Sequence, residues 1–146
     1  MNDFDIENIR VEILKKTNEY RKRHQANPLV LDPEINNYAQ EWAEKLIKKN
    51  VLAHRPNNKY GENIAMISSP NLVHCIDLWY DEVKNYDYNS LDTNFKSLHF
   101  TQLVWTSSKK VGFGIAKNSS TYVVVANFDP KGNILKKFNE NVLPPV

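Results

Sequence analysis

The sequence predicts an α+β fold in which helices cover an antiparallel sheet. Helical patterns fill the first part of the chain and two β-rich runs follow near its C-terminus, an order typical of this fold class. The chain has 146 residues, 41% of them hydrophobic and 25% charged, which favours a single domain spanning residues 1–146. Its one cysteine, Cys75, excludes an internal disulfide, so we expect core packing alone to hold the fold.

Three helices are predicted before the β-rich runs. The first covers residues 4–22, with acidic residues in its first turn and basic residues at its end, as the helix dipole favours. The second runs over residues 32–49, because Asp32 is an N-cap followed by a proline and the apolar residues recur at helical spacing. The third covers residues 69–83 and is apolar enough to be buried on more than one side.

The C-terminal part predicts an antiparallel hairpin. Its strands are residues 111–116 and 122–128, which are rich in β-forming side chains and are joined by a turn-forming segment. Residues 84–96 are polar and Asn-rich and predict a long surface loop. Gly61 is expected to form a tight turn that aims the carboxylate of Glu62.

The near balance of positive and negative charge argues against binding that depends on a strong electrostatic field. Nineteen basic and seventeen acidic side chains give a formal charge of +2, which does not favour nucleic-acid binding or a polybasic membrane anchor. The N-terminus has no apolar secretory segment, and Asn2 stands where N-myristoylation requires glycine. No apolar stretch reaches the roughly 18 residues that span a bilayer. We therefore expect an intracellular protein.

The four histidines are the residues most able to carry chemistry, because the sequence signatures of metalloproteases, serine hydrolases, nucleotide-binding loops and cysteine-rich zinc sites are absent. His24 ends a basic helix terminus and is expected in solvent. His74 precedes Cys75, but adjacent helical residues point to different faces, which argues against a dyad.

His54 and His99 are the stronger candidates. Glu62 follows His54 closely, and His99 opens an apolar and aromatic segment. A carboxylate and an imidazole that meet in a cleft bind a divalent cation or share a proton. The alternative is that Glu62 pairs locally and His99 caps a helix, and the sequence spacings do not decide between the two.

Several ordered segments resemble the CAP superfamily, named for cysteine-rich secretory proteins, antigen-five proteins and plant pathogenesis-related proteins. They are residues 18–21, 28–31, 61–64, 99–105 and 122–133. Several motifs in the correct order are far more specific than any one alone. In its lack of disulfides and in the sequence of its C-terminal segment, the chain is most similar to the intracellular, Golgi-associated branch of the superfamily.

The resemblance implies an α-β-α sandwich with a central antiparallel sheet, the CAP/SCP fold, and a large cleft. The cleft residues carried over by motif are His54, Glu62, Glu82 and His99. Two neutral imidazoles coordinate zinc or another divalent cation, while glutamates order water or hold the imidazoles. The resemblance further implies binding to lipids, membrane surfaces or protein partners.

We therefore expect a non-enzymatic binding protein with a cation in its cleft and a lipid or protein partner at its surface. The alternative is a metal-assisted hydrolase, protease- or esterase-like, with Glu62 or Glu82 as general base. A third possibility is a homodimer or larger homo-oligomer with a vestigial cleft. Attachment to Golgi or other membranes would rest on surface contacts, because Asn2 removes the acylation site.

Overall fold

The computed structural model describes residues 5–89 and 95–146, except for the side chain of Phe95. Helices and strands are interspersed along this part of the chain. They are α1 (Ile6–Arg23), β1 (Val30–Leu31), α2 (Pro33–Lys49), β2 (Gly61–Ile67), α3 (His74–Asp81), α4 (Leu98–Leu103), β3 (Lys110–Lys117), β4 (Tyr122–Asp129) and α5 (Phe138–Asn141). Short 3-10 helices at Glu82–Asn85 and Phe95–Ser97 flank the gap.

The four strands form one sheet in the order β1-β3-β4-β2. The β3–β4 and β2–β4 pairs are antiparallel, which confirms the predicted hairpin and the antiparallel centre of the sheet. The two-residue β1 pairs parallel to β3 and makes the sheet mixed. The register sets Glu62 of β2 directly opposite Asn127 of β4, which places a carboxylate beside an amide at one end of the sheet.

Helices cover both faces of the sheet. Val123 and Val125 of β4 pack with α2, whereas Val124 and Ala126, which alternate with them, pack with the layer that contains α1, α3 and α4. A Cβ atom on Gly114 of β3 would overlap the backbone of α2, so only glycine allows the helix to lie this close to the strand. This arrangement confirms the predicted α-β-α sandwich.

The predicted helix boundaries agree best with the structure where a capping residue marks the start of the helix. Asp32 accepts hydrogen bonds from the backbone N–H of Glu34 and Ile35, and α2 ends as expected. The helix predicted for residues 69–83 is shorter, because α3 begins at His74 after a turn at residues 72–73 and gives way to a 3-10 helix at Glu82. The predicted start of the first helix at residue 4 lies outside the described residues.

Gly61 does not form the expected turn. It is the first residue of β2, a strand that the sequence analysis missed, and a Cβ atom there would overlap the side chain of Gln102. The close approach of the Gln102 side chain, rather than turn geometry, therefore favours glycine at this position. Residues 90–94 of the loop predicted for 84–96 lie outside the described residues, and short 3-10 helices occupy both of its ends.

In the described part of the chain, no helix combines the length and apolar character that crossing a membrane requires.

Candidate functional site

A cavity of about 310 Å³ contains all four of the predicted site residues. It opens where the start of β2, the start of α4 and the loop after β4 meet. The side chains that line it are His54, Glu62, Asn63, Glu82, Lys96, Leu98, His99 and Asn133. The structure thus brings together residues that are far apart in the sequence.

One wall of the cavity holds His54 and Glu62. His54 Nδ1 lies 2.8 Å from Glu62 Oε1, and the backbone N–H of Arg55 donates to the same oxygen at 3.1 Å. Glu62 Oε2 accepts from the side-chain amides of Asn58 at 2.9 Å and Asn127 at 3.3 Å. The Glu62 side chain is only 4% exposed, and its hydrogen bond raises the pKa of His54. These four donors fix the position of the Glu62 side chain.

The other wall holds Glu82 and His99. Glu82 Oε2 lies 2.8 Å from His99 Nδ1, and Oε1 accepts from the backbone N–H of His99 at 3.0 Å and of Phe100 at 3.2 Å. The ring of Trp79 stacks on His99 with an interplanar angle of 6°. Glu82, rather than His99, therefore caps the first turn of α4, and it fixes the imidazole at the same time.

Both histidines are held in the same way. Each Nδ1 is engaged by a glutamate, and neither Nε2 has a hydrogen-bond partner among residues 5–89 and 95–146. A carboxylate on Nδ1 fixes the tautomer and leaves the Nε2 lone pair free, which is the usual arrangement of a metal-binding histidine. No group of three or more His, Cys, Asp or Glu side chains within the described ranges could hold a metal ion. The donor set that the cavity would offer a cation is therefore the two imidazole Nε2 atoms, and water would complete the coordination.

Three asparagines support the site, and the sequence analysis did not predict any of them. Asn58 and Asn127 hold Glu62, and Asn63 donates from Nδ2 to the backbone oxygen of His99 at 3.0 Å. Asn63 follows Glu62 in the Gly-Glu-Asn motif, which was the available signal. Asn127 lies beside Glu62 because of the register between β2 and β4, and the local sequence does not reveal that register.

The remaining histidines lie elsewhere. His74 is exposed at the start of α3, whereas Cys75 is fully buried. Burial raises the pKa of the Cys75 thiol, which keeps it protonated and unreactive. The expected absence of a His74–Cys75 dyad agrees with this geometry.

His24 is fully buried, which corrects the expectation that it lies in solvent. Its Nδ1 is 2.8 Å from the backbone oxygen of Leu143, and its Nε2 is 2.8 Å from the hydroxyl of Tyr80. The expectation failed because the C-terminal segment crosses the end of α1 and covers the ring. Burial lowers the pKa of His24.

The free energy of unfolding is expected to fall as the pH drops below 6.5, because the unfolded chain then binds a proton at His24 that the folded chain excludes. One such proton gives a slope of at most about 1.4 kcal/mol per pH unit. His54 acts in the opposite sense, since its raised pKa adds stability that is full below 6.5 and is lost as the pH rises through the folded-state value.

Urea unfolding of the wild type and of His24→Gln at several pH values measures this effect, and the variant should lose less stability on acidification. His54→Gln is the matched control and should steepen the loss. If NMR places the midpoint of the His24 titration in the folded protein above 6.5, the assignment is wrong.

Comparison with known proteins agrees with the fold and the motifs. The family profile described as "CAP: Cysteine-rich secretory protein family" matches residues 14–128. The Golgi-associated plant pathogenesis-related protein 1 of Homo sapiens is 39% identical over 141 residues, which cover 92% of each chain.

Two solved structures show the same architecture. The structure of BmVAL-1 has a TM-score of 0.75 and 26% identity, over 94% of this chain and 82% of that chain. The crystal structure of NaASP2 with Zn²⁺ has a TM-score of 0.73 and 22% identity, over 93% of this chain and 85% of that chain, and shows likeness of fold. The profile match and the human relative show that this chain belongs to the CAP family of cysteine-rich secretory proteins.

Proposed function

We propose that this chain is a non-enzymatic binding protein whose cleft takes an exchangeable divalent cation, zinc in the first instance, and whose surface engages a lipid membrane or a protein partner. The observation that carries the proposal is the pair of carboxylate-held imidazoles in one cavity, each with an Nε2 that no described residue engages. His54 and His99 would be the ligands, and Glu62 and Glu82 would orient them. The cation would supply a positive charge with open coordination positions.

The hydrogen bonding of the glutamates supports binding over hydrolysis. A general base needs a free lone pair directed at water. Glu62 accepts four hydrogen bonds, and Glu82 accepts three, two of them from the backbone of α4. Glu62 thus uses about all of the four acceptor positions of a carboxylate to hold the wall of the cleft, and Glu82 uses three.

The name of the human relative supports a proposed cellular setting. The human relative carries "Golgi-associated" in its name, and that association is the precedent for an intracellular chain that is peripheral at Golgi or other membranes. A second copy of the chain remains among the protein partners that the proposal includes.

The double variant His54→Ala/His99→Ala is expected to lose the binding heat when zinc chloride is titrated into the protein, because both ligands are gone. Isothermal titration calorimetry measures this directly. His74→Ala is the matched control, since His74 is exposed and does not line the cavity, and it should bind as the wild type does. An unchanged titration of the double variant would overturn the cation site.

A further inference from the structure

The two histidines of the cleft are supported in different ways. His99 belongs to α4, and its ring stacks on Trp79. His54 lies in the cleft loop, defined as residues 50–60, which joins α2 to β2, and its side chain is 66% exposed. Packing therefore does little to fix the imidazole of His54, and its position depends on the contacts that hold the cleft loop.

The side chain of Arg55 attaches the cleft loop to α2. Its Nη1 donates to the backbone oxygen of Tyr38 at 2.8 Å, and its guanidinium carbon lies 3.8 Å from the centroid of the Tyr38 ring. The Arg55 side chain is only 18% exposed. Its Nη2 also donates to Glu41 at 2.6 Å, but Glu41 is 59% exposed, so this ion pair adds little. The contacts with Tyr38 therefore supply most of the attachment.

The backbone of Arg55 links this attachment to the cleft. Its N–H donates to Glu62 Oε1 at 3.1 Å, and the same oxygen lies 2.8 Å from His54 Nδ1. Because His54 directly precedes Arg55 in the chain, the carboxylate, the backbone N–H and the imidazole form one closed set of contacts. Holding the side chain of Arg55 thus holds both the histidine and the carboxylate that the histidine meets.

The hydroxyl of Tyr38 acts on the other oxygen of the same carboxylate. It donates to Asn58 Oδ1 at 3.2 Å and accepts from the backbone N–H of Lys59 at 3.4 Å. The backbone N–H of Tyr60 donates to Asn58 Oδ1 as well, at 2.9 Å. With Oδ1 engaged by these two donors, the amide nitrogen of Asn58 faces Glu62 Oε2 at 2.9 Å. Tyr38 thus supports both oxygens of Glu62 from one position on α2.

We propose that Arg55 and Tyr38 are positioning residues for the cation site, and that they direct His54 Nε2 into the cleft by attaching the cleft loop to α2. Neither is among the described side chains that line the cavity, so they act through His54 rather than on the cation. Trp42 Nε1 donates to the backbone oxygen of Ala53 at 2.9 Å, so the loop stays attached to α2 when Arg55 is truncated. This inference deepens the proposed function and rests on its choice of His54 as a ligand.

Nitrogen NMR of the zinc-free protein tests the positioning directly. At mildly alkaline pH the wild type should show His54 as a single tautomer, protonated at Nδ1 and unprotonated at Nε2. In Arg55→Ala the ring nitrogens should move toward the averaged shifts of an imidazole that exchanges between both tautomers. The backbone amide of residue 55 should exchange with solvent at least about tenfold faster, because the loop opens more often.

Zinc titration by calorimetry measures the effect on binding. Arg55→Ala should weaken the affinity about tenfold, at the low end of the 10–100-fold that the loss of an outer partner costs. Tyr38→Phe should weaken it by less, because the backbone N–H of Tyr60 still holds Asn58 Oδ1. Arg55→Lys should recover part of the loss, since an ammonium can donate to the Tyr38 oxygen but cannot reproduce the planar stack. Arg55→Lys also supplies the same readouts if the alanine variant does not fold.

Lys59→Ala is the matched control. Lys59 lies in the cleft loop, 5.5 Å from the centroid of the Tyr38 ring, and its removal changes the net charge by the same amount. Its side chain makes no hydrogen bond or ion pair with any residue in the described ranges. The control should keep the wild-type tautomer and zinc affinity. An unchanged His54 tautomer in Arg55→Ala, or equal changes in Lys59→Ala, would overturn the positioning role.

The positioning role and the cation site fail in distinguishable ways. A wild type that binds no zinc would refute the cation site, while the tautomer and amide exchange of the zinc-free protein would still decide whether Arg55 positions His54. Normal zinc binding by the wild type, with the same affinity and the same tautomer in Arg55→Ala, would refute the positioning role and leave the cation site standing.

Discussion

Arg21→Ala is expected to remove about 4 kcal/mol or more from the free energy of unfolding, a large share of the 5–15 kcal/mol typical of a small domain. The guanidinium of Arg21 is fully buried, and burial lowers its pKa to about 10, which leaves it charged at neutral pH. It donates to the backbone oxygens of Asn27, Leu103, Trp105 and Ser108 at 2.8–3.1 Å. Truncation leaves the buried carbonyls of Leu103 and Ser108 without this donor, at about 1–3 kcal/mol each before relaxation, whereas the Trp105 oxygen keeps the backbone N–H of Ser108.

Urea unfolding followed by circular dichroism measures the loss. Arg21→Lys should be intermediate, because one ammonium cannot reproduce the planar fork of a guanidinium. Arg23→Ala is the control, since Arg23 is exposed and lies over the rings of Tyr20 and Tyr80, a contact that contributes about 0.5–1 kcal/mol. A loss within 1 kcal/mol for Arg21→Ala would show that water or rearranged backbone satisfies the carbonyls.

Glu62→Gln is expected to lower the zinc affinity of the cleft by about 10–100-fold. The amide keeps the shape of the side chain but turns one acceptor oxygen into a donor. Donors from His54, Arg55, Asn58 and Asn127 would then face a group that can no longer accept from all of them. The imidazole loses its orientation, and its raised pKa should fall, because the hydrogen bond to the carboxylate is the main cause of the shift.

Calorimetry at mildly alkaline pH, where protons compete least with the metal, gives the affinity, and NMR follows the titration of His54. Glu41→Gln is the matched control, because Glu41 is exposed and pairs with the side chain of Arg55 at 2.6 Å. It should leave both readouts unchanged. Wild-type zinc affinity in Glu62→Gln would mean that the carboxylate does not position the ligand.

The second helix could be predicted because its signals are local: Asp32 and Pro33 mark the start, and the apolar spacing marks the rest. β1 has two residues and exists only through pairing with β3, so no local pattern could reveal it. Arg21 lies in a run of basic residues that is typical of a solvated helix end, and only the tertiary fold buries it.

Some features of the candidate site could likewise be predicted from the sequence, and others could not. Spacing alone could not join its residues, because His54 and Glu62 are 8 residues apart and Glu82 and His99 are 17 apart. The resemblance to the CAP motifs identified the four residues, and the structure shows which histidine pairs with which glutamate. The donors around Glu62 depend on strand register and loop path, which a single sequence does not display.

The cleft lies between two layers of the fold. Glu62 belongs to β2 of the sheet and holds His54, whereas His99 belongs to α4 of the helical layer and is held by Glu82. The hydrogen bond from Asn63 to the backbone oxygen of His99 joins the two walls. A cation bound by both rings would be a second link between the layers, and a change in the spacing of the layers would weaken both links.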